Sequence, residues 1–112
     1  MTDETGRALA YRMHDAANAG DLDATYEIFH PEFRSHPLGT TGIEPIRAAW
    51  QTIRAKYPNL HSQIADVLVD GDKVALRSEI HGLDAPATLC EIFRVADGRI
   101  AELWGATSRS LL

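Results

Sequence analysis

Apolar residues recur at helical spacing through the first half of this chain and at every second position through the rest, with the change of period near Pro58. From about Glu4 to Ala19, Leu9, Met13, Ala16 and Ala17 form a stripe, and Asn18-Ala19-Gly20 closes it with a C-terminal cap. That is a first helix. Asp21 can cap a short second one with Leu22, Tyr26 and Phe29 on one side, which Pro31 stops just past His30. Pro31 to Gly42 reads as a turn-rich passage containing His36-Pro37. Thr41 or Gly42 then opens a third helix, with Pro45 tolerated in its first turn and Ile46, Trp50, Ile53 and Tyr57 as its apolar stripe.

After Pro58 the chain reads as strands. Leu60 to Val69 leads through Asp70-Gly71-Asp72 into Lys73 to Gly82, where Val74, Leu76, Ser78 and Ile80 alternate with Ala75, Arg77, Glu79 and His81. Leu83 to Pro86 turns the chain into Ala87 to Ala96, and Asp97-Gly98 supplies a tight hairpin into Arg99 to about Ser108. Three successive hairpins make an antiparallel meander. Helices grouped before strands predict an α+β fold, cone-shaped, with three N-terminal helices packed in the concave face of a curved antiparallel sheet.

The length of 112 residues predicts one domain, 1–112, with a single core small enough to gain from pairing with a second copy. A net charge of -5 with scattered Lys and Arg argues against a nucleic-acid partner. No apolar run approaches a membrane span, and the polar N-terminus lacks the pattern of a signal peptide, so no membrane partner and a cytoplasmic location are expected. The lone Cys90 cannot form an internal disulfide, and its mid-strand position predicts a buried, inert thiol. His14, His30, His36, His61 and His81 fall on different elements without ligand spacing, so no metal site is expected. No phosphate loop or nucleophile elbow is present, and no cofactor is expected.

The order of elements, the junction Asn18-Ala19-Gly20-Asp21-Leu22-Asp23, the start of the third helix at Gly42-Ile43-Glu44-Pro45-Ile46-Arg47 and the closing hairpin from Phe93-Arg94 to Leu103-Trp104 resemble the nuclear transport factor 2-like superfamily. The hairpin is similar to that of SnoaL-like proteins, which take their name from a polyketide cyclase. The resemblance covers nearly the whole chain and implies a conical pocket for a small apolar molecule. It also implies a homodimer formed through the outer sheet face, where Arg77, Glu79, His81 and cross-strand partners such as Arg94 set the register. The superfamily spans isomerases, cyclases, hydrolases, dehydratases and members that only bind or dimerise, so its motifs specify fold more than function.

Compared residue by residue with ketosteroid isomerases, His36 matches the general base, and Glu91 matches a protonated acid that donates to the substrate oxyanion. The oxyanion-binding tyrosine of that family matches Met13, which cannot donate. Epoxide hydrolases of the superfamily carry an acid where this chain has Gly105-Ala106-Thr107. His36 is therefore the expected base, since an imidazole near neutral pKa suits removal of a proton next to a carbonyl. Glu91, between Leu89 and Phe93 on an inward face, is the expected acid. Met13, Phe29, Phe33, Trp50, Tyr57, Leu76, Ser78, Leu89, Phe93 and Leu103 are the expected substrate-binding residues. The functional expectation is a cofactor-free isomerase, cyclase or lyase acting on an apolar carbonyl compound; the alternative is a non-catalytic ligand-binding or dimerisation domain.

Overall fold

In a computed structural model that describes residues 3–112, the elements run α1 (Asp3–Ala19), α2 (Thr25–Ile28), β1 (Phe29–Ser35), β2 (Thr40–Thr41), α3 (Glu44–Lys56), β3 (His61–Asp70), β4 (Lys73–His81), β5 (Ala87–Ala96) and β6 (Arg99–Thr107). The strands form one sheet in the order β2-β1-β6-β5-β4-β3. The expected meander is there as β3 to β6, each strand antiparallel to the next. Register irregularities between Ile64 and Asp66 and between Arg94 and Val95 interrupt the ladders. Such bulges bend and twist a strand, which curves the sheet around α1.

Local chemistry fixes the ends of the elements. Gly20, at φ 67°, ends α1 in a Schellman motif: the Gly20 N–H donates to the Ala17 carbonyl at 3.2 Å, and the Asp21 N–H donates to that of Ala16 at 2.9 Å. Asp97 and Gly98 take φ values of 55° and 73°, the two positive angles that the predicted β5–β6 hairpin turn demands. Gly6 permits the approach of α1 to the sheet, because a Cβ there would lie 2.7 Å from Cγ2 of Val74.

Leu9, Ala10 and Met13 of α1 pack with Ile28, Phe29, Phe33, Val74, Leu76, Phe93, Ile100 and Leu103 in the buried core. Removing side chains of this size from water contributes about 1.5–3 kcal/mol each. No residue of α3 is fully buried; Ile46 and Trp50 pack on the edge of that core.

Four expectations need correction. The second helix is a single turn, and Phe29 to Ser35, read as helix end and turn, is a strand that runs parallel to β6 and antiparallel to β2. Pro31 is exposed and lies within the register break between Phe29 and Arg34, where no regular ladder hydrogen bond is lost. The third helix begins at Glu44, since Thr41 pairs with Arg34 in the sheet, and Tyr57 is its C-cap rather than part of its stripe. Cys90 is exposed, because Leu89, Glu91 and Phe93 take the inward positions of β5 and the alternation turns the thiol outward. Arg94 stands between Lys73 and Glu102 and pairs with Glu102 at 3.3 Å, whereas Arg77 pairs with Asp66 at 2.8 Å.

Candidate active site

On the inward face of the sheet, register places Glu91 between Leu76 on β4 and Gly105 on β6. Leu76 is buried and Gly105 has no side chain, so the carboxyl has an apolar neighbour on one side and, on the other, a glycine where an added Cβ would lie 3.5 Å from Glu91 Cγ. Above it His14 projects from the buried face of α1, four residues after Ala10 and three before Ala17. His14 Nε2 lies 2.7 Å from Glu91 Oε1, and the two side chains are 7% and 11% exposed. Two ionisable groups so little solvated persist only because each satisfies the other.

The second imidazole nitrogen is held too: Nδ1 lies 2.8 Å from Ser62 Oγ on β3. Asn18, one turn beyond His14, clasps the same residue, its Nδ2 donating to the Ser62 carbonyl at 2.9 Å and its Oδ1 accepting the Ser62 N–H at 2.8 Å. Arg54 of α3 ties down the end of α1, its guanidinium donating to the carbonyls of Ala17 at 2.9 Å and Asn18 at 2.8 Å. The C-terminal end of α1, where His14 and Asn18 stand, is thereby fixed to both β3 and α3.

The pair opens on a cavity of about 130 Å³ bounded by Met13, Phe29, Trp50, Leu89 and Leu103, among others. Apart from His14, Glu91 and Ser62, the charged lining residue is Arg54, whose Nη1 and Nη2 already donate to backbone carbonyls. A second hollow of about 330 Å³ shares Ile46, Trp50, Leu89, Glu91, Leu103 and Leu111 with the first and extends it past Gly105 toward the C-terminal residues. Glu91 borders both hollows.

Of the expected substrate-binding residues, Met13, Phe29, Trp50, Leu89 and Leu103 border the cavity. Phe33, Leu76, Ser78 and Phe93 are buried in the core beneath it, and Tyr57 lies beyond α3 with Lys56 over its ring. His36, the expected base, does not face the cavity that Glu91 borders. Ser35 ends β1 with its side chain buried, so His36 faces the opposite side of the sheet. There it stacks on Trp104, ring centroids 4.8 Å apart and planes 8° apart, with Nε2 2.6 Å from Glu102 Oε2. The hydrogen bond from His36 holds the Glu102 carboxyl below its ordinary value against a smaller opposing effect of desolvation, and the hydrogen bond from Arg94 adds a lesser lowering. His14, which the sequence reading missed, takes the place beside Glu91; its helical spacing on the buried face of α1 is the signal that could have found it.

The outer face of the sheet carries a separate open groove of about 660 Å³ bordered by Leu68, Arg77, Cys90, Ile92 and Trp104. Leu68, on the edge strand β3, is 71% exposed, and Ile92, on the interior strand β5, is 46% exposed, a high exposure for large apolar side chains.

The SnoaL-like domain family matches residues 10–103. Among solved structures, a protein from Bacillus cereus proposed to be a polyketide cyclase is 27% identical, with a TM-score of 0.87 over 96% of this chain and 79% of that one. TsrD from Streptomyces laurentii is 25% identical, with a TM-score of 0.86 over 96% and 91% of the two chains. IdmH from Streptomyces antibioticus, also proposed to be a polyketide cyclase, is 24% identical, with a TM-score of 0.82 over 92% and 91%. No curated protein matches the sequence. The cone-like α+β arrangement expected from the nuclear transport factor 2-like resemblance is thus shared with experimentally solved proteins.

Proposed function

Because the chain belongs to the SnoaL-like domain family, we propose that it binds a small, mostly apolar carbonyl compound beside the His14–Glu91 pair and moves a proton on it without a cofactor, as an isomerase, cyclase or lyase. The observation that carries this reading is the pair itself: a buried imidazole and carboxyl, 2.7 Å apart, at the wall of an apolar cavity. Such groups are costly to bury for structure alone and recur where proton transfer is needed.

The chemistry follows from the atoms. With one proton between Nε2 and Oε1 the pair is neutral overall, and Glu91 keeps its other oxygen for a ligand. In the ion-pair form that oxygen takes the proton next to the substrate carbonyl, and the electron pair of the broken C–H bond moves onto the carbonyl oxygen as an enolate. The imidazolium charge left beside the now neutral carboxyl stabilises the enolate in low dielectric. Returning the proton to a different carbon gives an isomer; attack of the enolate on a second carbonyl closes a ring.

The test is deuterium incorporation, read by NMR, into a panel of apolar ketones and polycyclic carbonyl compounds. Glu91→Gln and His14→Gln are expected to abolish exchange and His36→Ala to leave it intact. Exchange lost in His36→Ala but kept in Glu91→Gln would sink the assignment and return the role to the outer-face imidazole. Met13 favours a second reading, a binding protein without turnover, since no donor stands where related isomerases keep a tyrosine. Saturable ligand binding with no exchange in the whole panel is the outcome that selects it.

Assembly belongs to the same proposal. A second copy covers the outer face, where Leu68, Ile92 and Trp104 surround the Asp66–Arg77 pair in a patch suited to meet itself across a two-fold axis. Ile92→Lys is expected to give a monomer in sedimentation velocity at concentrations where the wild type is dimeric; a monomeric wild type removes the idea. A cytoplasmic setting is proposed on the single thiol of Cys90, which has no second cysteine in the chain to pair with and suits a reducing compartment.

A further inference from the structure

The hydrogen-bond chain behind His14 has a direction. A backbone N–H only donates and a carbonyl only accepts, so the Asn18 clasp on the Ser62 backbone fixes which end of its amide is oxygen. That oxygen, Oδ1, also lies 3.2 Å from Ser62 Oγ and has no proton to give. The hydroxyl proton therefore points to Asn18, and Oγ is left to accept from the other neighbour, His14 Nδ1, at 2.8 Å. Turning the hydroxyl toward Nδ1 instead leaves two oxygens facing each other at 3.2 Å with no proton between them. It also sets Nε2–H against Glu91 and, with that carboxyl ionised, buries a net negative charge among apolar side chains.

We propose that Ser62 and Asn18 are positioning residues that keep a proton on Nδ1 of His14, so that Nε2 is the nitrogen that exchanges a proton with Glu91. The hydrogen bond made by one imidazole nitrogen decides the state of the other. The chain ends in an amide, which does not ionise, so it cannot carry the proton away toward β3; its effect is orientation. This inference rests on the proton-transfer reading for its use in catalysis, but the tautomer it assigns exists with or without a substrate.

Long-range 1H–15N NMR of 15N-histidine-labelled protein reads that tautomer directly. In the wild type, His14 is expected to carry a proton on Nδ1. Ser62→Ala removes the acceptor, and the Nδ1–H signature is expected to give way to a mixture; Ser62→Thr should restore it. Asn18→Ala frees the Ser62 hydroxyl to donate to Nδ1 and should shift the population toward Nε2–H. Ser62→Ala keeps the backbone clasp of Asn18, so it remains informative if Asn18→Ala does not fold. In the exchange assay Ser62→Ala is expected to lose about 10- to 1000-fold, below the roughly 10⁴ measured where a catalytic histidine is held in the wrong tautomer.

A wild-type His14 protonated on Nε2 alone, or a pattern unchanged in Ser62→Ala, overturns the inference. Exchange that depends on Glu91 with the tautomer unmoved by Ser62→Ala leaves the proposed function standing and this inference fallen. The expected tautomer pattern without exchange on any compound does the reverse.

Discussion

Cutting the His14–Glu91 pair from one side and from both sides separates what it does for the fold from what it does for chemistry. Both side chains are nearly excluded from water, 7% and 11% exposed, and each is the other's partner at 2.7 Å. Glu91→Ala leaves an imidazole nitrogen unpaired above a new void, and losses from breaking a buried pair run to about 3–5 kcal/mol. With total stability of about 5–15 kcal/mol expected for a domain, that is a large fraction. At an m-value of about 1.5 kcal/mol/M, a loss of about 3 kcal/mol lowers the urea midpoint by about 2 M. Glu91→Gln keeps a hydrogen-bonding group of the same shape, and a loss of about 1 kcal/mol is expected. The double variant His14→Leu/Glu91→Met removes both ionisable groups and fills the space, and such replacements are often neutral or stabilising by about 1–4 kcal/mol. Urea denaturation followed by circular dichroism measures all four proteins. The expected pattern is a weak alanine variant, a near-normal glutamine variant and a double variant at least as stable as the wild type but without proton exchange. A double variant as unstable as Glu91→Ala would refute the reasoning, because the pair would then be explained by its contribution to the fold.

Further outcomes follow from single positions. The Ser78 hydroxyl is buried without a hydrogen-bond partner among the described residues, so Ser78→Ala is expected to raise the urea midpoint, by up to about 1 kcal/mol in stability; a clear loss would show that the hydroxyl is satisfied. Gly71 and Gly82 have φ values of 60° and 85°, but only at Gly82 would a Cβ meet backbone, 1.9 Å from the Asn59 carbonyl oxygen. Gly71→Ala should cost about 1–2 kcal/mol for a left-handed residue and Gly82→Ala distinctly more; equal midpoints contradict the close approach. The Glu102 carboxyl is held below the ordinary 4.5, first by its hydrogen bond from His36. A carboxyl lowered in the folded state contributes stability that is present above its unfolded pKa and lost as pH falls through the folded value. Stability measured from pH 6 into acid below about 4.5 should therefore fall less steeply in Glu102→Gln than in the wild type; identical slopes argue against the pairing.

Periodicity and turn chemistry in the sequence determined the meander, the hairpin at Asp97-Gly98, the cap at Gly20 and the inward face of Leu89, Glu91 and Phe93. Each follows from neighbours within a few residues, where alternation, helical spacing and positive φ leave a local mark. The strand from Phe29 to Ser35 left no such mark, since Pro31 interrupts it and its partner, β6, lies about 70 residues further along the chain. Missing that strand also misplaced His36, whose direction follows from the burial of Ser35. His14 carried its own signal on the apolar face of α1, but a histidine within a stripe reads equally well as core. What decided its place was the closure of α1 over the curved sheet, which brought residues 14, 62 and 91 from three elements into hydrogen-bonding contact. Local sequence fixes the faces of helices and strands through short-range sterics, whereas the meeting of those faces depends on long-range packing and sheet order.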